Sequence, residues 1–134
     1  MLASPLMLSC DLSKLDAFTL NLITNDEVLA VDQDPLGVMA ARIPVSPTVM
    51  AQQQEKWFKP LADGTMAVAL YNLNSAAEQD ISVNWKDLNI SGRQRVRDLW
   101  RQKDLGEFDE SFTAHVLIHG AVMLKLSPAS AAGK

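Results

Sequence analysis

Residue types that could carry chemistry gather at a few places along the chain. "NDEVLAVDQDPLG", Asn25 to Gly37, holds the carboxylates Asp26, Glu27, Asp32 and Asp34 just before a proline and a glycine. Asp32-x-Asp34-x-x-Gly37 opens like a calcium loop, with acids at loop positions 1 and 3 and glycine at 6. Position 5, however, is Leu36, and position 12, where a bidentate carboxylate belongs, is Ile43. His115-x-x-x-His119 would set two imidazoles on one face of a helix as zinc ligands. Their setting, "HVLIHGAVMLKL", reads as strand, where four residues separate the rings by roughly 13 Å at ~3.3 Å per residue. That is too far to share one ion, so no metal site and no cofactor is expected.

Trp57, Trp85 and Trp100 could form a sugar-stacking platform or plug a core, and large aromatics in a small domain favour the core. Trp57 is the candidate ligand-binding residue. It alternates with Phe58 along a strand, so one of the two rings must approach the surface. A glycosidase needs two carboxyl groups about 5–10 Å apart across a cleft, but Asp63, Glu78, Asp80, Asp104, Glu107 and Asp109 all fall in turn or cap contexts, where acids are expected anyway. No nucleophile elbow, phosphate-cradling glycine loop or Cys-His metal set is present. The residues by themselves nominate no catalytic group.

The elements that would position these residues change character near Pro35–Gly37. Before it, "PLML" reads as a buried strand that begins abruptly, as though more chain preceded it. Ser13-Lys14-Leu15-Asp16 then supplies a helix N-cap signature, and Leu15, Phe18 and Leu22, widened by Leu20 and Ile23, make an amphipathic helix. Thr24-Asn25-Asp26-Glu27 repeats the capping signal and predicts a second short helix whose first turn carries Asp26 and Glu27, where the helix dipole favours acids.

After Gly37, β-prone runs alternate with turns. "TVMAQQQEKWFKPL" and "TMAVALYNLN" flank the Asp63-Gly64 turn as a hairpin. "QDISVNW" is a strand with Ile81, Val83 and Trp85 on one face. "QRVRDLW", "RQKDLGEF" and "SFTAHVLIHGAVMLKL" supply the rest, and "SPASAAGK" reads as a frayed tail. Strands at this spacing predict a mainly β fold, an antiparallel β-sandwich of Greek-key type.

The chain has 134 residues, enough for one ordinary domain, and 48% of them are hydrophobic, which is globular composition. A net charge of −4 with no basic run argues against nucleic-acid partners. Cys10 is the single cysteine, so no intramolecular disulfide forms. "MLASPLMLSC" lacks the basic n-region of a signal peptide and is broken by Pro5. No apolar run is long enough to span a bilayer, so no membrane association is expected. The compartment stays open.

The order of residues adds a resemblance. "LASPLMLSCDLSKLDAFTLNLITNDEVLAVDQDPLG" resembles the end of the catalytic barrel in the α-galactosidase (melibiase) family of glycoside hydrolases. Trp57, Lys59, Pro60, Leu61, Asp63, Gly64, Ala67, Val68, Leu70 and Asn72 are similar to the family's "VWxKPLxDG-x-xAVALxN". Val96, Asp98, Leu99, Trp100, Lys103, Asp104, Leu105 and Gly106 are similar to its "VRDLWxxKDLG".

Covering Leu2 to Leu126, the resemblance implies a (β/α)8 barrel followed by a sandwich. Residues 1–36 would be the last barrel strand (Pro5 to Cys10) and its helical return, residues 37–127 the accessory sandwich, and residues 128–134 the tail. The family's catalytic aspartates lie on earlier barrel strands, the first in a "K-Y-D" motif that this sequence lacks, so the resemblance carries no catalytic residue into this chain. The parent activity it implies is retaining hydrolysis of terminal α-galactosides, with carbohydrate as the partner. A stand-alone carbohydrate-binding sandwich using Trp57 is the alternative. Without a barrel to cover them, "PLML" and the Leu15/Phe18/Leu22 stripe are expected to drive self-association.

Overall fold

The computed structural model describes residues 1–129. Helices α1 (Ala17–Ile23) and α2 (Asp26–Asp32) precede β1 (Ala41–Arg42) and helix α3 (Pro47–Ala51). The strands β2 (Gln54–Pro60), β3 (Met66–Asn72), β4 (Gln79–Asn84), β5 (Gln94–Asp98), β6 (Lys103–Phe108), β7 (Ser111–Val116) and β8 (Ala121–Pro128) follow. They form a six-stranded sheet in the order β1-β2-β3-β8-β5-β6 and a two-stranded sheet, β4-β7, with every pairing antiparallel. Strand β8 returns between β3 and β5, the non-sequential neighbour of a Greek-key-type sandwich.

Alternation explains the layers. Val68 and Leu70 of β3, Val96 of β5, and Leu124 and Leu126 of β8 face Ile81, Val83, Ala114 and Val116 of the small sheet, and all are buried. Trp85 and Leu88 close one end of this core, and the Trp85 indole N–H donates to the Phe108 carbonyl at 3.2 Å. At the other end Asn72, fully buried, donates to the carbonyls of Ala77 (2.9 Å), Val116 (3.1 Å) and Leu117 (3.1 Å). That one amide ties the end of β3 to the loop leading into β4 and to the end of β7.

The expected hairpin is present with residues 54–60 paired to 66–72. Its turn needs Gly64, whose φ is +80°, and Asp63, whose carboxylate accepts from the Thr65 amide at 3.0 Å. Outside this core, the opposite face of the large sheet is covered by α2, where Val31 is buried with Leu61, Ala67, Leu99 and Met123.

Several local expectations are corrected. Pro5 to Cys10 form no strand: Met7 is 89% exposed and this backbone pairs with no strand among the described residues, without which an extended segment has no ladder. The cap of α1 is Asp16, which accepts from the Thr19 amide at 2.7 Å, whereas Ser13 lies in a separate 3-10 turn, Leu12–Lys14, and donates its hydroxyl to Asp11 at 2.7 Å. The cap of α2 is Asn25 rather than Thr24, whose hydroxyl turns back to the Leu20 carbonyl.

Residues assigned to the first hairpin strand instead begin as α3, capped by Ser46 with Pro47 in its first turn. Ser127 and Pro128, expected in the tail, extend β8, and the Ala129 amide donates to the Arg93 carbonyl at 2.9 Å. The remainder of that tail lies outside the described residues.

Candidate functional site: a polar seam beneath helix α2

The acid-rich stretch singled out in the sequence lies against the outer face of the large sheet, and its polar groups meet the two motif segments from the sandwich there. Asn25 acts twice. Its side-chain oxygen caps α2 by accepting from the Val28 amide at 3.1 Å, and its amide nitrogen donates to the Leu99 and Trp100 carbonyls at 3.0 and 3.3 Å. Two residues on, Glu27 receives both arms of the Arg97 guanidinium, Nε at 2.7 Å and Nη2 at 2.6 Å. This fork-to-fork geometry is the strong form of an ion pair. Glu27, and after it Asp104, hold the Arg97 guanidinium more firmly protonated than usual.

The far end of α2 is fixed by Lys59. Its side chain is fully buried, and its ammonium donates to the Val31 carbonyl at 2.5 Å, in the last turn where unpaired carbonyls carry the negative end of the helix dipole. Asp34 continues the junction: its carboxylate accepts from the Leu36 amide and, at 3.0 Å, from the Ala62 amide at the start of the β2–β3 turn. Lys125 donates to Asp63 in that turn at 2.8 Å, and this bond, with the Thr65 hydroxyl, pulls the Asp63 pKa down to about 2. Between α2 and the turn runs a groove of about 510 Å³ floored by Ala30, Val31, Leu61 and Leu99, with Arg97–Glu27 and Lys125–Asp63 on its rim.

The other singled-out residues are scattered. Asp34 is engaged by the Leu36 and Ala62 backbone amides. His115 lies on β7, its Nδ1 2.8 Å from Asp80 and its Nε2 2.9 Å from Glu78, whereas His119 sits in the following turn at φ +52°. The two carboxylates, Asp80 first, raise the His115 pKa. Among the described residues no group of His, Cys, Asp and Glu side chains is arranged to hold a metal ion.

Of the tryptophans, Trp85 alone is a core plug at 2% exposure. Trp57 is half-buried beside Met1, Leu2, Tyr71 and Leu73, and its indole N–H donates to Glu55 at 3.0 Å. Trp100 is 39% exposed, contrary to the core expectation, because it stands on the tight β5–β6 turn where no strand covers it.

Sequence reasoning passed over Arg97 and the second role of Asn25. Glu27 and Arg97 are seventy positions apart, and a separation that long leaves no periodic signal. Lys59 was legible only as a motif position, since a lysine within an alternating strand reads as solvent-facing.

Known proteins are similar to this chain over most of its length. The family model described as the alpha galactosidase C-terminal beta sandwich domain matches residues 51–126. A probable alpha-galactosidase of Dictyostelium discoideum is 37% identical over 132 residues, covering 96% of this chain and 33% of the relative. The crystal structure of alpha-galactosidase I from Mortierella vinacea superposes with a TM-score of 0.83 at 32% identity, over 98% of this chain and 34% of that one. A β-L-arabinopyranosidase from Geobacillus stearothermophilus, solved in complex with arabinose, matches at TM-score 0.78 and 31% identity, over 88% of this chain and 26% of its own. The chain thus spans about a third of the length of the curated relatives it matches. Among the described residues no helix is long and apolar enough to cross a membrane.

Proposed function

The chain belongs to the family of the alpha galactosidase C-terminal beta sandwich domain, and from that premise we propose that it serves as the non-catalytic module of an α-galactosidase-type retaining glycosidase. The observation that carries this reading is the seam. Glu27, Asp34 and Asp63 are engaged by Arg97, by the Ala62 amide and by Lys125, so the most conspicuous carboxylates fasten a helix to a sheet. A glycosidic bond needs a pair held across an open cleft.

In this reading residues 1–36 are the return from a (β/α)8 barrel and residues 37–127 the sandwich. The parent enzyme hydrolyses terminal α-galactosides by double displacement between two aspartates carried on the barrel. Choice of sugar would rest with the barrel too, in keeping with a similar sandwich in relatives named for galactose and for arabinopyranose. The exposed side chains of Leu6, Met7 and Leu8 in "PLML" supply the face that docks on such a barrel. When the chain is alone, the same face pairs two copies.

A chromogenic α-galactoside offered to the purified chain tests the central part, with no turnover above background expected. Hydrolysis that co-purifies with the chain would overturn it. Light scattering tests the docking face: a dimer or larger species is expected, and a clean monomer would remove that part.

A further inference from the structure

Helix α1 and the β5–β6 turn enclose a cleft of about 240 Å³ lined by Phe18, Asn21, Leu22, Asn25, Asp26, Trp100 and Gln102, with Thr24 at its edge. Phe18, Asn21 and Leu22 lie three and four residues apart and so share one helix face. Phe18 is 76% and Trp100 39% exposed. Among the described residues the close ring pair is Phe108 with Phe112, so neither Phe18 nor Trp100 is stacked on another aromatic ring.

The cleft is built rather than incidental. The Asn25 amide, itself buried, holds the carbonyls of Leu99 and Trp100, which fixes the turn that presents the indole. Gln102, at φ +50°, donates from Nε2 to Asp26 Oδ1 at 2.5 Å. That bond engages one end of each side chain, leaving Asp26 Oδ2 and the Gln102 carbonyl oxygen able to accept. Asn21, exposed beside them, offers both a donor and an acceptor.

We propose that this cleft between α1 and the β5–β6 turn binds a neutral sugar ring, which stacks on Trp100 and Phe18 and hydrogen-bonds to Asn21, Asp26 and Gln102. The chemistry selects this ligand class. A sugar presents an apolar C–H face to an aromatic ring and a rim of hydroxyls that donate and accept at once, matching amides and a carboxylate around exposed rings. The lining holds one carboxylate and no Lys, Arg or His, which disfavours phosphates and other anions. Its volume lies below the roughly 300–1,000 Å³ of drug-sized sites, so it suits a single ring. The surface is separate from Trp57, and the inference does not depend on the accessory role proposed above.

The test is titration of the whole chain with D-galactose and with melibiose, followed by ¹H–¹⁵N shifts and tryptophan fluorescence. Saturable shifts at the Asn21 and Gln102 side-chain amides and the Trp100 indole N–H are expected. Phe18→Ala, at a position too exposed to disturb folding, and Trp100→Ala should each weaken binding by about tenfold, and Trp57→Ala should leave it unchanged. Absence of saturable shifts in the folded wild-type chain would overturn the proposal. So would binding that survives Phe18→Ala and Trp100→Ala, or binding that is lost on Trp57→Ala.

Discussion

Replacing Asn25 separates a helix cap from a tertiary fastener. As a cap alone, Asn25→Ala would cost about 1 kcal/mol. Here the same side chain also satisfies the Leu99 and Trp100 carbonyls at 3.0 and 3.3 Å. A buried acceptor stripped of its donor costs a further ~1–3 kcal/mol, so the expected loss is about 2–4 kcal/mol. At about 4 °C per kcal/mol for a chain of this size, Tm falls by roughly 8–16 °C.

Asn25→Asp divides the two roles. It keeps the oxygen that accepts from Val28 and places a negative charge at the helix start, where the dipole welcomes it. It also loses both donors and turns a carboxylate oxygen toward two carbonyls. Urea unfolding of both variants, with m unchanged, should therefore show Asn25→Asp no more stable than Asn25→Ala. Wild-type stability in Asn25→Asp would refute the reasoning, because it would make Asn25 a cap and nothing more.

Other consequences follow from the same contacts. Arg97→Met removes a bidentate pair whose side chains are 32% and 23% exposed; a loss of about 1–2 kcal/mol is expected by urea unfolding, shrinking at high salt. The Asp63 pKa is depressed from 3.8 to about 2, so its contribution is present above pH 3.8 and is lost as pH falls toward 2. Asp63→Asn should flatten the decline of Tm in that window and leave its slope near neutrality alone. For His115, raised above 6.5 by Asp80 and then Glu78, the sign is opposite: its contribution is present below pH 6.5 and fades as pH rises through the raised value. An NMR titration should place this histidine above 6.5, and Asp80→Asn should bring it down.

The sandwich was legible because its strands alternate. Ile81, Val83 and Trp85 could be assigned to one face from spacing alone, and all three are buried. Helix α2 was legible from the acids in its first turn, but its cap was displaced by one residue. Thr24 and Asn25 are both good caps by type, and only the three-dimensional position of the Leu20 carbonyl and the Leu99–Trp100 turn decides between them. The strand expected at Pro5–Cys10 failed for a related reason: an apolar run specifies burial, but a strand also needs a neighbour for its backbone.

Within the seam, single residues gave little warning. Arg97 and Lys59 belong to residue types that usually face water, and their partners come from a helix far away in sequence. The exposure of Trp100 was equally hidden, since bulk alone argues for a core position and only the turn geometry places it outside.

The central claim is that α2 and the sandwich form one cooperative unit welded by Asn25, Glu27–Arg97 and Lys59. Native-state hydrogen exchange tests it most directly. The amides of Leu29, Ala30 and Val31 should exchange with the same opening free energy as Val68 and Leu70 of β3, since a helix of seven residues has no stability of its own. Exchange of α2 at the rate of a frayed peptide, while β3 stays protected, would contradict the account.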